Sequence, residues 1–174
     1  MRIPFEQIPA EGLELELTEA GWFPEQELAR QGPVRATINL AREPGRLDRV
    51  RLRGLLEVDL RLICDRCLDS YPYALAADFQ ASLEVGAIDD GAAVSDHLCS
   101  AEVMETVSLA EPVVDVFDLL AQQLFLSLPL KRLCREECRG LCPRCGADLN
   151  EGECGCFRSP GSSPFAVLAD LKKR

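Results

Sequence analysis

The sequence predicts an α+β protein in which a mainly antiparallel sheet, able to close toward a barrel, packs on one long helix and precedes a cysteine-rich segment. Apolar and polar side chains alternate over two long runs that meet at a Cys-x-x-Cys turn, which is typical of strands with one solvated face. Residues 115–128 are apolar around most of a helical circumference, which favours a buried helix. Six of the nine cysteines then fall within residues 134–156.

The first elements are short. Leucines alternate with polar residues over 13–18, and apolar residues alternate with polar ones over 34–40, so each run predicts a half-buried strand. Residues 24–30 predict a short helix between them, because Pro24 suits a first helical turn and Gly32 suits a helix end.

The clearest alternation predicts a long antiparallel hairpin. Apolar side chains recur at even positions between residues 50 and 62 and at odd positions between residues 71 and 85. The turn Cys64-Asp-Arg-Cys67 then lies at the tip of this hairpin. Gly54 interrupts the apolar row, so we expect a bulge or a bend there.

The remaining elements follow an acidic loop over residues 86–100. Residues 103–109 predict a short edge strand. In the helix over residues 115–128, Asp115 is the expected N-cap and Pro129 ends the helix.

The chain is expected to have three parts. Residues 1–130 form the sheet with its packed helix, and residues 131–158 form a cysteine knuckle. Residues 159–174 form a Ser/Gly/Pro linker and a short tail helix, since apolar residues recur there at helical spacing.

Eight of the nine cysteines predict two zinc sites. Cys142-Pro-Arg-Cys145 is a tight turn that places two thiolates within reach of one tetrahedral ion, and Gly146 can take the positive φ that the turn needs. The chain's spacing predicts two ligand sets, which are Cys142, Cys145, Cys154 and Cys156, and Cys64, Cys67, Cys134 and Cys138. Cys99 is left without a set. The alternative is a single site from Cys134, Cys138, Cys142 and Cys145, with the other thiols free.

Metal ligation is favoured over disulfide bonds by the expected compartment. The first residues, MRIPFEQIPAEG, contain no apolar core of a secretory signal, and no apolar run reaches membrane-spanning length. We therefore expect a cytoplasmic protein, in which clustered cysteines stay reduced.

Charge restricts the surfaces that could contact RNA. The net charge is −10. It is carried by residues 1–130, which hold 10 basic and 23 acidic side chains, whereas residues 131–174 hold 9 basic and 6 acidic ones. The candidate RNA contacts are Arg51 and Arg53 on the solvated hairpin face, and Arg139 and Arg144 in the cysteine segment. The alternative is that these are solvated charges, some of them in ion pairs.

Catalysis is not expected. His97 is the only imidazole, and all-sulfur ligand sets are typical of closed structural sites. The alternatives are a zinc-dependent enzyme and a thiol redox protein that uses the Cys-x-x-Cys pairs in metal-free form.

Four motifs resemble one known family. They are Cys64-Asp-Arg-Cys67-Leu after a strand, Leu126-Ser-Leu-Pro129-Leu after an acidic helix start, Cys138-Arg-Gly-Leu-Cys142-Pro-Arg-Cys145-Gly-Ala-Asp-Leu-Asn150, and Pro164-Phe-Ala-Val-Leu168-Ala-Asp-Leu-Lys172. Together they are similar to the YceD family, also called domain of unknown function 177 or the large ribosomal RNA subunit accumulation family. The resemblance implies a bacterial or plastid protein that acts in accumulation or processing of the large-subunit (23S) ribosomal RNA, with no established catalytic residue. The expected partner is ribosomal RNA, a basic ribosomal protein or a processing factor, and not a membrane or a small-molecule substrate.

Overall fold

The chain divides into two compact units. The computed structural model describes residues 1–46, 48–86 and 106–156. Unit one is Met1–Leu62 with Pro72–Leu130, and unit two is Ile63–Tyr71 with Lys131–Arg174. The predicted tail helix and residues 87–100 of the predicted acidic loop, which include His97 and Cys99, lie outside the described residues. The three-part division of the chain stays a prediction.

Most of unit one is a sheet. The strands are β1 (Arg2–Pro4), β2 (Leu13–Leu17), β3 (Ala29–Arg30), β4 (Arg35–Arg42), β5 (Arg49–Ile63), β6 (Ser70–Val85), β7 (Thr106–Leu109) and β8 (Val113–Asp115), and the helix α1 covers Val116–Leu126. The main sheet has the order β2-β4-β5-β6-β7, with β3 pairing β5, and β1 and β8 form a separate two-stranded sheet. A 3-10 helix, Phe5–Gln7, follows β1.

The alternation of apolar and polar residues predicts the buried face correctly. In β5 every even position is buried and nearly every odd position is exposed. The strand β4 pairs antiparallel with β5 and buries Ala36, Ile38 and Leu40. Because side chains alternate across a strand, this register places the apolar rows of both strands on one face.

The predicted hairpin is present. Strands β5 and β6 are hydrogen-bonded neighbours joined only by residues 64–69, a connection too short for a parallel crossover. The loop carries Cys64 and Cys67, as the sequence predicts.

The sheet is mixed and does not close. The predicted edge strand is present as β7 over its described residues, Thr106–Leu109. It pairs parallel to β6, which the long connection between the two strands permits. Within the described residues no pairing joins β2 to β7, so the expectation that the sheet closes toward a barrel is wrong.

The short helix expected over 24–30 is absent. Leu28 donates to the carbonyl of Pro24 at 3.0 Å, which closes one turn, but Ala29 then enters β3 and pairs with Arg61. A single turn is a costly helix nucleus, and strand pairing replaces it.

Helix α1 is shorter than predicted and is not buried all round. It ends at Leu126 instead of Leu128, and the hydroxyl of Ser127 donates to the Gln123 carbonyl at 2.7 Å. Asp115 is the N-cap, as predicted, and accepts from the backbone N–H of Phe117 and Asp118.

Helix α1 is buried on one side only. Val116, Leu119, Leu120 and Leu124 are buried, whereas Phe125 and Leu126 are 41% and 75% exposed. The helix contacts β1. No helix in the described part of the chain has the length and apolar character needed to cross a membrane.

Gly54 does not mark a bulge. It pairs with Ile38 within a continuous β4–β5 register, so the expected bulge or bend is absent from this pairing. A Cβ at Gly54 would overlap the ring of Phe79. The glycine therefore makes room for an aromatic ring on the neighbouring strand.

Replacing Gly54 by alanine should destabilise unit one. The added methyl group would strike the Phe79 ring, and we expect a loss of about 1–3 kcal/mol, as for other overpacked sites. Chemical denaturation followed by circular dichroism measures this loss.

The matched control is Gly32→Ala, because a Cβ at Gly32 meets nothing within 4 Å. Its stability should change little. Adding Phe79→Leu to Gly54→Ala should recover part of the lost stability. If Gly54→Ala is as stable as the wild type, the close approach of the ring is not the reason for the glycine.

Candidate metal centres

Unit two gathers eight cysteines into two sets. The Sγ atoms of each set all lie within 4.8 Å of one another. We name them by their burial: the buried set is Cys64, Cys67, Cys134 and Cys138, and the surface set is Cys142, Cys145, Cys154 and Cys156. These are the two sets that the sequence predicts, and the alternative set of Cys134, Cys138, Cys142 and Cys145 is not the grouping found in the described residues. Each set could hold a metal ion, and the ligand role of the individual cysteines stays a prediction.

Both Cys-x-x-Cys turns have the same backbone. The N–H of Leu68 donates to the carbonyl of Cys64 at 3.0 Å, and the N–H of Gly146 donates to the carbonyl of Cys142 at 2.9 Å. The residue after each second cysteine has a positive φ, 63° at Leu68 and 72° at Gly146. The positive φ expected at Gly146 is confirmed, whereas Leu68 adopts the same conformation at a steric cost of about 1–2 kcal/mol.

The buried set joins cysteines that are far apart in sequence. Sγ of Cys64 lies 3.8 Å from Sγ of Cys138, and Sγ of Cys67 lies 3.7 Å from Sγ of Cys134. A disulfide bond would need about 2.05 Å, so these are free thiols. Three of the four cysteines are at least 96% buried, and Tyr71 and Leu133 pack against them.

Asp65 ties the loop between β5 and β6 to the cysteine segment. Its backbone N–H donates to the Arg132 carbonyl at 2.7 Å, and its carboxylate accepts from the Arg132 N–H at 2.8 Å. This reciprocal pair fixes the start of the segment that carries Cys134.

Arg66 fixes the other end of the buried set. Its guanidinium donates to the carbonyls of Cys138 at 2.7 Å and Glu136 at 3.3 Å. Its own carbonyl accepts from the N–H of Leu141 at 3.0 Å. A Cβ at Gly140 would lie 2.8 Å from the same carbonyl oxygen, and Gly140 has a φ of 72°, so a glycine is required for both reasons.

The surface set is closed by a loop that folds back on itself. The N–H of Cys142 donates to the Ala147 carbonyl at 2.8 Å, and Leu141 and Asp148 form an isolated antiparallel bridge. Cys142 is buried, Cys145 is exposed, and Cys154 and Cys156 are half-buried.

Backbone N–H groups favour one thiolate in each set. Burial disfavours the thiolate of Cys64, but hydrogen bonds from the backbone of Cys67, Cys134 and Arg66 outweigh it and lower the pKa to about 6. Bonds from the backbone of Arg144 and Cys145 lower the pKa of Cys142 to about 6.

Cys67, Cys134 and Cys156 resist ionisation. A backbone bond from Asp69 favours the thiolate of Cys67, but burial and the neighbouring thiols outweigh it and raise the pKa. Burial is the main reason that the pKa of Cys134 is raised, and the side chains of Cys145 and Cys154 raise the pKa of Cys156 to about 12. Four thiolates therefore need a nearby positive charge to coexist in each set.

The four predicted RNA-binding arginines lie in both units. Arg51 and Arg53 are in β5 of unit one, and Arg139 and Arg144 are in unit two. Arg51 lies 3.7 Å from Glu43, and Arg139 lies 3.8 Å from Glu153. These exposed pairs are weak, and within the described residues no acidic side chain pairs with Arg53 or Arg144.

Three contributors to the site were missed from the sequence: Asp65, Arg66 and Asn150. Asp65 and Arg66 are the two variable positions of the turn Cys64-Asp-Arg-Cys67. The Cys-x-x-Cys pattern assigns a role to the two cysteines and none to the residues between them. Asn150 stands in Ala147-Asp-Leu-Asn150, and its N–H donates to the Asp148 carboxylate at 2.8 Å. The Asp-x-Asn pattern is a signal for such a turn.

The chain is similar in sequence to one protein family and to proteins that carry this family's name. Residues 52–172 match the model of the family described as large ribosomal RNA subunit accumulation protein YceD. Two curated plant relatives are named large ribosomal RNA subunit accumulation protein YCED homolog 1, chloroplastic. The relative from Zea mays is 26% identical over 145 residues, covering 71% of this chain and 48% of its own length. The relative from Arabidopsis thaliana is 24% identical over 161 residues, covering 82% and 49%.

The chain spans about half the length of these two plant relatives. An uncharacterized protein of Mycobacterium tuberculosis is 40% identical over 47 residues, which is 27% of this chain and 19% of its own length. No solved structure matches the chain. Because the family match extends over more than half of the chain and includes all eight cysteines of the two sets, the chain belongs to the YceD family of large ribosomal RNA subunit accumulation proteins.

Proposed function

We propose that this protein is a zinc-stabilised, non-enzymatic factor in ribosome biogenesis, which supports accumulation or processing of the large-subunit ribosomal RNA. It does so in the cytoplasm by binding RNA or a ribosomal partner. The family membership supports the role in ribosome biogenesis. The observation that carries the rest is the assembly of two separate all-cysteine sets within one unit.

The geometry of the buried set suits zinc. A tetrahedron with Zn–S bonds of about 2.3 Å has edges of about 3.8 Å between sulfur atoms. The distances between the sulfur atoms of Cys64 and Cys138, and of Cys67 and Cys134, are 3.8 and 3.7 Å. The N–H donors at Cys64 would orient its thiolate, as outer groups do around metal ligands.

The ligand chemistry supports a structural role. Each set supplies four sulfur atoms, so neither leaves the open position that a catalytic zinc keeps for water or substrate. A bound zinc ion would neutralise part of the thiolate charge and hold together segments that are distant in sequence. Such an ion contributes folding free energy directly.

The charge of the protein surface decides which partners it can bind. Unit one is strongly acidic in sequence, so any RNA contact has to be local, through exposed cations such as Arg53 and Arg144. The acidic surface suits a basic ribosomal protein or processing factor by electrostatic complementarity. Both modes are compatible with a non-enzymatic factor.

The protein purified without chelators should contain two zinc ions per chain, one for each set. Cys67→Ser should remove the ion of the buried set, and Cys154→Ser should remove the ion of the surface set. In each case one ion should remain, as measured by elemental analysis against protein concentration.

Cys99→Ser is the matched control, since this cysteine belongs to neither set, and it should keep both ions. The alternative single site of Cys134, Cys138, Cys142 and Cys145 predicts one ion that neither Cys67→Ser nor Cys154→Ser removes. Folded protein without any zinc would refute the proposed metal centres.

A thiol-reactivity measurement separates the zinc protein from the redox alternative. With zinc bound, the eight grouped thiols should react slowly with a chromogenic disulfide reagent, and any fast phase should be lost in the Cys99→Ser variant. After a chelator is added, the remaining thiols should react because their sulfur atoms are released. Fast reaction of Cys64 and Cys142 before chelation would favour the redox protein.

Charge reversal at the unpaired arginines tests direct RNA contact. Arg53→Glu and Arg144→Glu should each weaken binding to large-subunit ribosomal RNA, and each lost phosphate contact should reduce the salt slope by about 1. The same substitutions at Arg51 and Arg139 should have smaller effects, because Glu43 and Glu153 already lie beside them. Filter binding over a series of salt concentrations measures both quantities.

Arg2→Glu is the matched control, because Arg2 is 65% exposed, pairs with Glu111 and lies in the two-stranded sheet. It changes the net charge by the same amount. If all of these variants keep the affinity and slope of the wild type, RNA is not contacted through these arginines, and a protein partner remains.

A further inference from the structure

One segment of the chain connects the two cysteine sets. It is hydrogen-bonded to Arg66 beside the buried set and to the loop of the surface set. This bridging segment, residues 138–142, runs from the last cysteine of the buried set to the first cysteine of the surface set. On the side of the buried set, Arg66 holds it through the carbonyl of Cys138 and the N–H of Leu141.

The loop of the surface set holds the same bridging segment. This loop, residues 146–153, connects Cys145 to Cys154. The N–H of Leu149 donates to the Gly140 carbonyl at 2.9 Å, and the Ala147 carbonyl accepts from Cys142 at 2.8 Å. The loop therefore pairs with the bridging segment through backbone hydrogen bonds, as a short antiparallel strand would.

Asn150 extends this contact to a sulfur atom of the other set. Its Nδ2 donates to Sγ of Cys138 at 3.5 Å and to the carboxylate of Asp148 at 2.7 Å. Its Oδ1 accepts from the N–H of Arg139 at 2.8 Å. A side chain from the loop of the surface set thus contacts a cysteine of the buried set.

We propose that Asn150 couples the two metal sites, so that an ion in the surface set raises the affinity of the buried set for its own ion. This inference rests on the proposed zinc binding. The surface set closes the loop between Cys145 and Cys154, and a closed loop has less conformational freedom to lose when Asn150 is placed. The placed amide then donates to Sγ of Cys138 and holds this sulfur atom within 4.8 Å of the other three sulfur atoms of the buried set.

The coupling is reciprocal by thermodynamic linkage. An ion in the buried set fixes Cys138, which holds Asn150 and the loop in place, and this raises the affinity of the surface set by the same factor. Asn150 is thus a positioning residue that acts through Cys138. If the role of Asn150 were only structural, its replacement would lower the stability of the fold without changing how the zinc affinities of the two sets depend on each other.

A thermodynamic cycle on the full chain tests the coupling. The affinity of the buried set for zinc is measured by competition with a chromophoric chelator in four proteins: the wild type, Asn150→Ala, Cys154→Ser with Cys156→Ser, and all three substitutions together. Removing the surface set should weaken the buried set by about 5- to 150-fold, the usual range of coupling between sites. Asn150→Ala should lower the zinc affinity of the buried set by a similar factor. The triple variant should bind zinc no more weakly than the weaker-binding of these two variants.

Two further variants separate the contact with sulfur from the fold of the loop. Asn150→Asp keeps an oxygen for the Arg139 N–H but replaces the donor to Cys138 by a carboxylate, so the buried set should be at least as weak as in Asn150→Ala. Glu151→Gln is the control, since the neighbouring Glu151 is exposed, and it should match the wild type.

The outcomes are distinct. If the effects of Asn150→Ala and of removing the surface set multiply, or if Asn150→Asp binds as the wild type does, the coupling is overturned while the zinc centres stand. If the wild type binds no zinc at either set, both the coupling and the proposed zinc centres fail. A circular dichroism spectrum like that of the wild type for every variant shows that the comparison is between folded proteins.

Discussion

Unit two depends on the meeting of four sulfur atoms that the sequence keeps far apart. Cys64 and Cys138 are 74 positions apart, and Cys67 and Cys134 are 67 positions apart. Closing a loop of this length costs entropy, although the cost grows only slowly with length, and the thiolates repel one another once they ionise. The hydrogen bonds of Asp65 and Arg66 offset part of this cost. In our proposal, zinc offsets the rest.

The two cysteine sets share a local turn and differ in their surroundings. The same backbone bond and the same positive φ occur after Cys67 and after Cys145, so both turns present two sulfur atoms with the same local backbone. The buried set then gains its other two cysteines from a distant segment, whereas the surface set takes them from the end of an adjacent loop. An ion in the buried set would therefore stabilise long-range structure, and an ion in the surface set would stabilise its own loop and, through Asn150, the buried set.

The proposed function gives the arginines unequal roles. Arg66 donates to two backbone carbonyls of the cysteine segment, so its charge is used for structure, whereas Arg53 and Arg144 are exposed and form no ion pair among the described residues. A net charge of −10 disfavours broad contact with phosphates. The family relationship and the charge together favour a factor that makes a few local contacts with RNA or binds a basic protein.

The sequence by itself determined features that depend on periodicity and short spacing. Strand faces follow from alternation, the N-cap of α1 follows from Asp115, and the two cysteine sets follow from the spacing of close pairs. Tertiary structure decided whatever depends on a distant partner. Ala29 pairs with Arg61 instead of continuing a helix, and Gly54 gives room to Phe79 instead of forming a bulge. The contact of Asn150 with Cys138 also needs the folded loop, because a local pattern records which side chains alternate but not which neighbour each one meets.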